Sequence, residues 1–464
     1  MYNQEYADLK NSSFNGFIGV ASADITPPEG IYSRNWGASE YDVSEGVHRP
    51  IELTCLIFKS SPSEKPLVLI SADLGWWKSS KDELFVREGI LRHFSFEPSQ
   101  LMFCLTHTHA SAGICSEDIT RPGGHLIPGY LDQIRKAGID AVESALSSIS
   151  PANLTWSYGK CDLATNRDLP DRNKDRELVG FNHGREADDT LLVGRITNKE
   201  QQILATIVNY ACHPTTLAWD NRLISPDYIG AMRETVESHT FAPCLFLQGA
   251  SGELAPAEQY VGDYEVADKH GRQLGYAVMS VLEGMLPPDV MLAYQEVKES
   301  GAPLAIWGRT PYDSDVEFCS QIVEVTLPLK PLPSLAELRH EWQVCTDRVL
   351  KERLLRKRLI REAVGDGEVV KIPVWIWRLG NSLLIGQSNE AYSNFQLELR
   401  KELSSYAIGV MNIVNGSVGY LPPRNLYDAD IYSVWQTPYA AGSLELLINT
   451  TVRTSKKIMK GTIL

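Results

Sequence analysis

The sequence predicts an α/β fold in which mixed β-sheets are flanked by helices within a single large domain. Four apolar runs rich in β-branched residues occur in the first half of the chain, and helix-compatible stretches separate them. Because these runs are apolar throughout, we expect their strands to be buried on both faces, as in sheets covered by helices. A chain of 464 residues is long enough for one large domain, and residues 285–335, which contain several prolines, mark a possible junction between two lobes.

The predicted elements alternate along the chain. The apolar runs are PLVLISAD (66–73), LMFCLTHTH (101–109), ILATIVNYACHP (203–214) and CLFLQGASGE (244–253). The helix-compatible stretches are 81–94, 129–149, 228–238 and 264–284. Two further strands are predicted at 369–379 and 382–387, joined by a turn at Gly380-Asn381.

The clearest helical pattern covers residues 334–363. Ser334 and Glu337 form a capping box, and Gly365 follows the end of the pattern. The second half is basic, with Lys351, Arg353, Arg356, Lys357, Arg358 and Arg361. We interpret these residues as a solvated helix face.

Composition excludes several classes of protein. The chain has 44 Lys+Arg against 58 Asp+Glu and a formal charge of −14, so nucleic acid is not an expected partner. No apolar run reaches the length of a transmembrane segment, and the polar start has no signal-peptide core. The eight cysteines contain no CxxC pair and indicate reduced thiols in a cytoplasmic protein.

Histidines stand at the ends of the apolar runs. His107 and His109 end one run in CLTHTHASAGIC (104–115), and His213 follows another in Cys212-His213-Pro214. Period-2 alternation would put His107 and His109 on one face of an extended chain. Such a pair suits a metal site, an acid/base site or a purely structural role, and these alternatives remain open. Two histidines and a carboxylate at strand ends are the ligand set that a catalytic zinc prefers, but the fixed motif HExxH is absent.

CLTHTHASAGIC resembles the THTHSGPGG segment of the neutral ceramidase family, zinc-dependent amidases that release the fatty acid from ceramide. Eight further parts of the chain resemble this family in the same order. They are FIGVASADITPPEG (17–30), EGVHRPIELTCLIF (45–58), TNRDLPDR (165–172), ADDTLLVGRI (187–196), ACHPTTL with LISPDYIG (211–217 and 223–230), LQGASGELAP (247–256), IGQSNEAYSNFQLELR (385–400) and GYLPPRNLYDADIY (419–432). The resemblance covers nearly the whole chain.

The resemblance implies a zinc site and a set of residues around it. Carried over position by position, His107, His213, Glu390 and Tyr420 would bind Zn²⁺. Arg167 would bind the substrate, and His109 and Tyr427 would act on the scissile amide as proton carriers or oxyanion donors. The implied activity is hydrolysis of a carboxamide, the C–N bond of a linear N-acyl compound, by a water that the metal activates.

Departures from the family pattern concern the substrate. The loop after the histidines differs in Ala110-Ser-Ala-Gly-Ile114, and we expect residues 1–464 to form the catalytic domain without the immunoglobulin-like domain of full-length ceramidases. We therefore expect a small acylated substrate that is more polar than ceramide. The alternatives are a zinc-dependent deacetylase or esterase acting on acylated sugars, and a family member that binds a ligand without catalysis.

Two other classes of enzyme are disfavoured by motif. Gly249-Ala-Ser251-Gly252-Glu253 resembles the GxSxG elbow of serine hydrolases, but Glu253 takes the place of the second glycine. No glycine-rich dinucleotide fingerprint follows a strand, which disfavours a Rossmann enzyme. The oligomeric state cannot be inferred from the sequence.

Overall fold

Two large β-sheets with helices on their outer faces make up residues 11–461, the part of the chain that this computed structural model describes. The strands in chain order are β1 Ser12–Asp24, β2 Glu52–Lys59, β3 Leu67–Ala72, β4 Leu101–Leu105, β5 Ser150–Lys160, β6 Ala164–Asn166, β7 Asp168–Pro170, β8 Glu177–Val179, β9 Thr190–Thr197, β10 Ile203–Tyr210, β11 Cys244–Gln248, β12 Leu254–Pro256, β13 Val290–Glu299, β14 Pro303–Pro311, β15 Phe318–Pro328, β16 Val369–Leu379, β17 Ser382–Gln387, β18 Glu390–Ala391, β19 Ala407–Met411 and β20 Tyr420–Leu421. The α-helices are α1 Ser80–Phe94, α2 Ile127–Ser147, α3 Tyr228–Thr240, α4 Tyr264–Gly284, α5 Leu335–Val344, α6 Arg348–Val364, α7 Asn394–Glu402, α8 Tyr432–Gln436 and α9 Ser443–Met459.

The larger sheet has eight strands in the order β11-β10-β9-β5-β1-β2-β3-β4, and the smaller has the order β15-β16-β17-β19. Both sheets are mixed. Neighbouring strands are antiparallel except for the pairs β3–β4 and β10–β11 in the larger sheet and β17–β19 in the smaller. The smaller sheet packs against one face of the larger.

Alternating side chains of one strand enter two different cores. In β4, Leu101, Phe103 and Leu105 pack beneath α1 and α2, whereas Met102 and Cys104 lie between the two sheets. This alternation explains why the strands are apolar throughout, since both faces are covered. Burial on both faces is confirmed, although the second sheet, and not a helix, covers one of the faces.

The remaining helices complete a four-layer arrangement. α3 and α4 cover the larger sheet beside β9, β10 and β11. α7 and α9 cover the outer face of the smaller sheet. The order of layers is therefore helices, larger sheet, smaller sheet, helices, and the predicted α/β class with mixed sheets and flanking helices is confirmed.

A helical insertion of residues 329–368 joins β15 to β16. These strands pair directly, with Pro328 opposite Val369. The sequence predicted one helix at 334–363, but the structure has α5 and α6, separated by three residues. The helix breaks because the Asp347 side chain accepts a hydrogen bond from the Leu350 amide at 2.7 Å and starts a new helix.

The basic face of α6 is only partly solvated, contrary to the sequence interpretation. Arg353 and Lys357 are exposed. Arg358 is 8% exposed and pairs with Glu117, and Arg356 faces a cavity described below. The capping box that begins α5 at Ser334 is confirmed.

No helix within residues 11–461 has the length and apolar character needed to cross a membrane. Residues 1–10, which hold most of the polar start that led us to expect no signal peptide, lie outside the described residues, as do 462–464. The cytoplasmic location and the lobe junction at 285–335 stay predictions.

Candidate metal centre and its cavity

The parallel strand pairs of the two large sheets all lead to one site. His107 follows β4, His213 follows β10, and Glu390 and Tyr420 follow β17 and β19. Side chains that follow the carboxyl ends of parallel strands gather at one edge of the sheet, where α/β proteins bind their ligands. Residues separated by more than 300 positions in the chain therefore meet at this point.

His107 reaches the site through a turn. β4 ends at Leu105, and His107 has a φ of 70°, in the left-handed region that side chains other than glycine seldom adopt. Its Nδ1 lies 3.0 Å from the Gly75 carbonyl oxygen. The prediction that His107 and His109 lie on one face of an extended chain is therefore wrong. Their rings are nevertheless close, with 4.9 Å between the centroids.

His213 is held in the same manner by a second loop. Its Nδ1 lies 2.7 Å from the carbonyl oxygen of Ser251 and 3.2 Å from that of Leu254. Its ring centroid is 4.8 Å from that of His107. Burial, together with the nearby charge of Arg167, lowers the pKa of His213 to about 3, so this imidazole is neutral.

Glu390 lies between the two imidazoles. Its Oε2 is 3.1 Å from His213 Nε2 and 3.4 Å from His107 Nε2. Glu390 and Tyr420 stand opposite each other in the short parallel pair of β18 and β20. The backbone pairing therefore brings the carboxylate and the phenol to adjacent positions.

The protonation pattern of this cluster fits a bound cation. In His107 and His213, Nδ1 faces a carbonyl oxygen, which assigns a proton to that nitrogen and directs Nε2 toward Glu390. Both Nε2 atoms face the same Glu390 oxygen, and nitrogen and oxygen atoms that converge in this way form a ligand set suited to a cation. His107 Nε2 has no hydrogen-bond partner among residues 11–461.

His109 stands beside this cluster with both ring nitrogens unpartnered among the described residues. Its ring lies between Trp36 and Trp76, with centroid distances of 5.0 and 4.9 Å. Burial lowers its pKa well below the ordinary value, and the neighbouring histidines add to this shift. The imidazole nitrogens of His107, His109 and His213 lie within 4.8 Å of one another, so a ligand set of three histidines also fits a metal ion.

Arg167 connects the phenol to the surrounding loops. It lies between β6 and β7, and its Nη2 donates to the Tyr420 hydroxyl at 3.0 Å and to the Gly252 carbonyl at 2.7 Å. Arg167 is buried at 5% exposure. This donor stabilises negative charge on the Tyr420 oxygen.

Two connected cavities open onto the cluster. The inner cavity, of about 70 Å³, contains His107, His109, Glu390 and Tyr420 in its wall, together with Trp76, Trp77, Lys78, Arg356, Leu359, Ile360, Ser417, Gly419, Tyr432 and Gln436. The outer cavity, of about 410 Å³, shares His109, Arg356, Tyr420, Tyr432 and Gln436 with it. Trp36, Trp219 and Tyr260 add an aromatic wall on which Trp219 and Tyr260 stack at 5.8 Å.

Comparison with known proteins shows which family this chain is similar to. Residues 17–245 match the family model described as neutral/alkaline non-lysosomal ceramidase, N-terminal. The fold is similar to the crystal structure of neutral ceramidase from Pseudomonas aeruginosa, with a TM-score of 0.69 and 15% identity over 97% of this chain and 75% of that chain. It is also similar to a ceramidase complexed with C2, with a TM-score of 0.68 and 14% identity over 96% of this chain and 76% of that one. This chain is similar to neutral ceramidases in the sequence of residues 17–245 and in its fold. No curated protein matches its sequence.

One predicted site residue of this ceramidase-like chain lies elsewhere. Tyr427 lines neither cavity, and its hydroxyl lies near Thr437 and Glu445. The chain passes through a 3-10 turn at Arg424–Leu426, which directs Tyr427 toward the start of α9. The structure therefore does not bring Tyr427 to either cavity, and its action on the scissile amide stays a prediction.

Tyr432 takes the place expected for Tyr427. It is the first residue of α8, it lines both cavities, and its ring meets that of Tyr420 edge-on at 5.6 Å. Its hydroxyl accepts a hydrogen bond from Arg356 at 3.2 Å. Sequence reasoning also missed Trp36, Trp76 and Arg356, because an isolated tryptophan or a basic helix carries no signal for a cavity wall.

Proposed function

We propose that the ceramidase-family hydrolase fold of this chain houses a zinc-dependent amidohydrolase that cleaves the C–N bond of a linear N-acyl compound. The contact among His107, His213 and Glu390 carries this proposal. Two imidazole nitrogens and a carboxylate oxygen converge on one point, which is a ligand set that a divalent cation prefers.

The proposed ligands are His107, His213, Glu390 and Tyr420. Nitrogen and oxygen donors of this kind suit zinc. Without a metal, burial and the charge of Glu390 raise the pKa of Tyr420 well above its ordinary value, so ligation requires that the phenol proton be displaced. The hydrogen bond from Arg167 to the Tyr420 oxygen favours that loss. When bound, zinc lowers the pKa of a water and polarises a carbonyl oxygen.

His109 is the proposed proton carrier. The ring is neutral and adjacent to the proposed ligands, and neither nitrogen is engaged with another described residue. It can therefore accept a proton at one nitrogen and deliver it to the leaving amine. Tyr432, whose oxygen already accepts from Arg356, keeps its own O–H free to donate to the oxyanion that develops on the amide.

The size of the cavity is in keeping with the expected substrate, which is smaller than ceramide. A combined volume of this size suits a molecule of drug-like dimensions. The stacked rings of Trp219 and Tyr260 offer flat apolar faces to a ring-bearing substrate, which favours a deacetylase or esterase acting on acylated sugars as the second candidate.

Metal analysis combined with a substrate screen tests the proposal. The purified protein should contain one zinc per chain, and chelation should remove the metal together with hydrolysis of N-acyl compounds. A panel of amides, acylated sugars and ceramides, including O-acyl controls, identifies the bond that is cleaved. Full activity after chelation, or inactivation by a serine-directed inhibitor, would contradict the proposal. Bound zinc with no hydrolysis of any panel member would favour the ligand-binding protein.

A further inference from the structure

The inner cavity has a buried ammonium group whose donors are unused. Lys78 lies on the segment between β3 and α1, and its side chain is 4% exposed. No residue in the range 11–461 accepts a hydrogen bond from its Nζ. Asp118 Oδ2 is 3.7 Å away, close enough for an ion pair but too far for a hydrogen bond. Burial lowers the pKa of Lys78, but Asp118 and Glu352 raise it above the ordinary value, so the group is charged.

Two further donors of the same cavity lack acceptors. Trp77 Nε1 and Arg356 Nε are buried and have no hydrogen-bond partner among the described residues. Lys78 Nζ and the Arg356 guanidinium lie 5.7 and 5.2 Å from the ring of Trp76. This wall of the cavity, formed by Lys78, Trp77 and Arg356 and called the donor wall below, therefore places unpartnered hydrogen-bond donors and positive charge beside the inner cavity.

The charges around the donor wall do not cancel. The carboxylates nearest to it are Asp118, Glu352 and Glu390, which lines the same cavity, and the next carboxylate outward, Asp42, pairs with two arginines. Against these four carboxylates stand five cations: Lys78, Arg356, Arg34, Arg121 and Arg348. A local excess of positive charge is notable in a chain whose formal charge is −14. It attracts an anion into the cavity.

We propose that the donor wall binds an anionic group of the substrate, a carboxylate or a phosphate, while the amide lies at the metal centre. This inference rests on the proposed function and names its substrate class, N-acyl compounds whose amine part carries an oxyanion. An oxyanion supplies the acceptors that Lys78, Trp77 and Arg356 lack. An uncharged substrate would bury the Lys78 ammonium without a hydrogen-bond acceptor, which costs binding free energy.

Calorimetric titration of the full, metal-loaded chain with matched probes tests whether the donor wall binds an anionic group. N-octanoylglycine and N-octanoylglycinamide have the same length and differ in one charge, and the N-octanoyl derivative of aminomethylphosphonate distinguishes a phosphate-type group from a carboxylate. We expect a charged probe to bind about tenfold more tightly than the uncharged N-octanoylglycinamide. Equal affinity for charged and uncharged probes would overturn the inference.

Variants of the donor wall test whether this wall or the metal causes the tighter binding of charged probes. Lys78→Met alone leaves Asp118 as an unpaired buried charge, so the informative variant is Lys78→Met with Asp118→Asn, which removes both charges. The preference should disappear in this double variant and persist in Lys78→Arg. The matched control is Lys81→Met, on the exposed face of α1. A preference that survives the double variant would place the oxyanion at the metal and contradict the inference.

The two proposals fail in different ways. If the charged probes bind more tightly than the uncharged one but no probe is hydrolysed, the proposed function is contradicted, whereas the donor wall is retained as an anion site. If N-octanoylglycine and N-octanoylglycinamide bind with equal affinity and are hydrolysed at equal rates, the anion site at the donor wall is contradicted and the proposed amidohydrolase activity is retained.

Discussion

At the level of single residues, the candidate site depends on where each imidazole directs its two nitrogens. His107 adopts a φ of 70°, a conformation that costs roughly 1 kcal/mol or more for a residue with a side chain. In return its Nδ1 meets the Gly75 carbonyl and its Nε2 points at Glu390. His213 achieves the same orientation with an ordinary backbone and the carbonyl of Ser251. In each ring the carbonyl fixes the tautomer and leaves the second nitrogen available to a metal.

The two tyrosines near the carboxyl end of the chain are expected to differ in function. Tyr432→Phe removes a hydroxyl in the cavity and should lower kcat on the best N-acyl substrate by about 10- to 100-fold, because a donor to the developing oxyanion is lost. Tyr427→Phe should leave kcat within about twofold, since that hydroxyl lies near Thr437. Steady-state kinetics of the two variants measures both values of kcat. The opposite ranking would restore Tyr427 to the site.

The identities of the central residues could be predicted from the sequence, but the choice between the two tyrosines could not. The segment 104–115 carries two histidines in a pattern shared with a known family, so its chemistry could be inferred before its geometry. The short 3-10 turn at Arg424–Leu426 has no comparable signature. Because one turn decides which ring lines the cavity, the resemblance of this segment to a family could not show that Tyr432 lines it and Tyr427 does not.

At the level of secondary-structure elements, the site depends on close contact between loops from the two sheets. The loop after β11 passes directly against β18, where the Gly252 amide donates to the Ala391 carbonyl at 2.9 Å. A Cβ on Gly252 would lie 2.6 Å from a ring carbon of Tyr392 and 3.0 Å from the Glu390 carbonyl oxygen. Tyr392 is buried and hydrogen-bonded to Asp168, so it has little room to move. Glycine at this position therefore sets the distance from the loop to Glu390.

Gly252→Ala is expected to displace the Glu390 backbone. We expect a loss of about 1–3 kcal/mol in the free energy of unfolding from overpacking, together with weaker metal binding. Urea unfolding and metal titration measure the two effects. Gly129→Ala is the matched control, because a Cβ there meets nothing within 4 Å and alanine favours helix α2. Unchanged metal affinity in Gly252→Ala would show that Glu390 does not depend on this contact.

Most helices and buried strands could be predicted from periodicity, whereas the cavity walls could not. The runs at 101–109 and 203–214 give β4 and β10, although each strand ends several residues before the predicted boundary. The chain leaves the sheet there because its polar residues bind loops and not neighbouring strands. The helix break before Asp347 was missed because a strong helical pattern continues on both sides of it. Arg356 faces the cavity only because α6 folds back over the site, a tertiary contact that local patterns do not contain.

At the level of the whole molecule, the four layers bring residues from both halves of the chain to one centre. The imidazoles come from the larger sheet, and Glu390 and Tyr420 come from the smaller. The sheets are joined by the apolar core between them and by Asn209, whose side-chain amide bonds the Val410 carbonyl at 2.8 Å. The candidate metal centre therefore depends on correct packing of the two sheets, and a bound metal should in turn stabilise that packing.

Burial of carboxylic acids makes stability depend on pH. Glu253 is 5% exposed, and burial raises its pKa to about 7 even though the Ser393 amide donates to the carboxylate at 2.9 Å. Between the ordinary pKa of 4.5 and about 7 the folded chain holds a proton that the unfolded chain has lost. The contribution of Glu253 to stability therefore falls as pH rises through this window.

Glu253→Gln removes this titration and provides the measurement. Relative to wild type, the free energy of unfolding of the variant should rise by about 2 kcal/mol between pH 5 and pH 8. Urea unfolding of both proteins at several pH values gives the difference, in which the opposite contribution of His213 cancels. A difference that is constant with pH, or that falls, would show that Glu253 ionises normally in the folded chain.

The most direct test of the account is the zinc content of the purified protein and of four variants, measured by mass spectrometry after dialysis against buffer. We predict one zinc per chain in the wild type, none in His107→Ala or His213→Ala, and a weakened site in Glu390→Gln, because a neutral amide is a poorer ligand. His109→Ala should retain the metal and lose turnover. Full zinc in His107→Ala or His213→Ala, or loss of zinc in His109→Ala alone, would contradict the proposed ligand set.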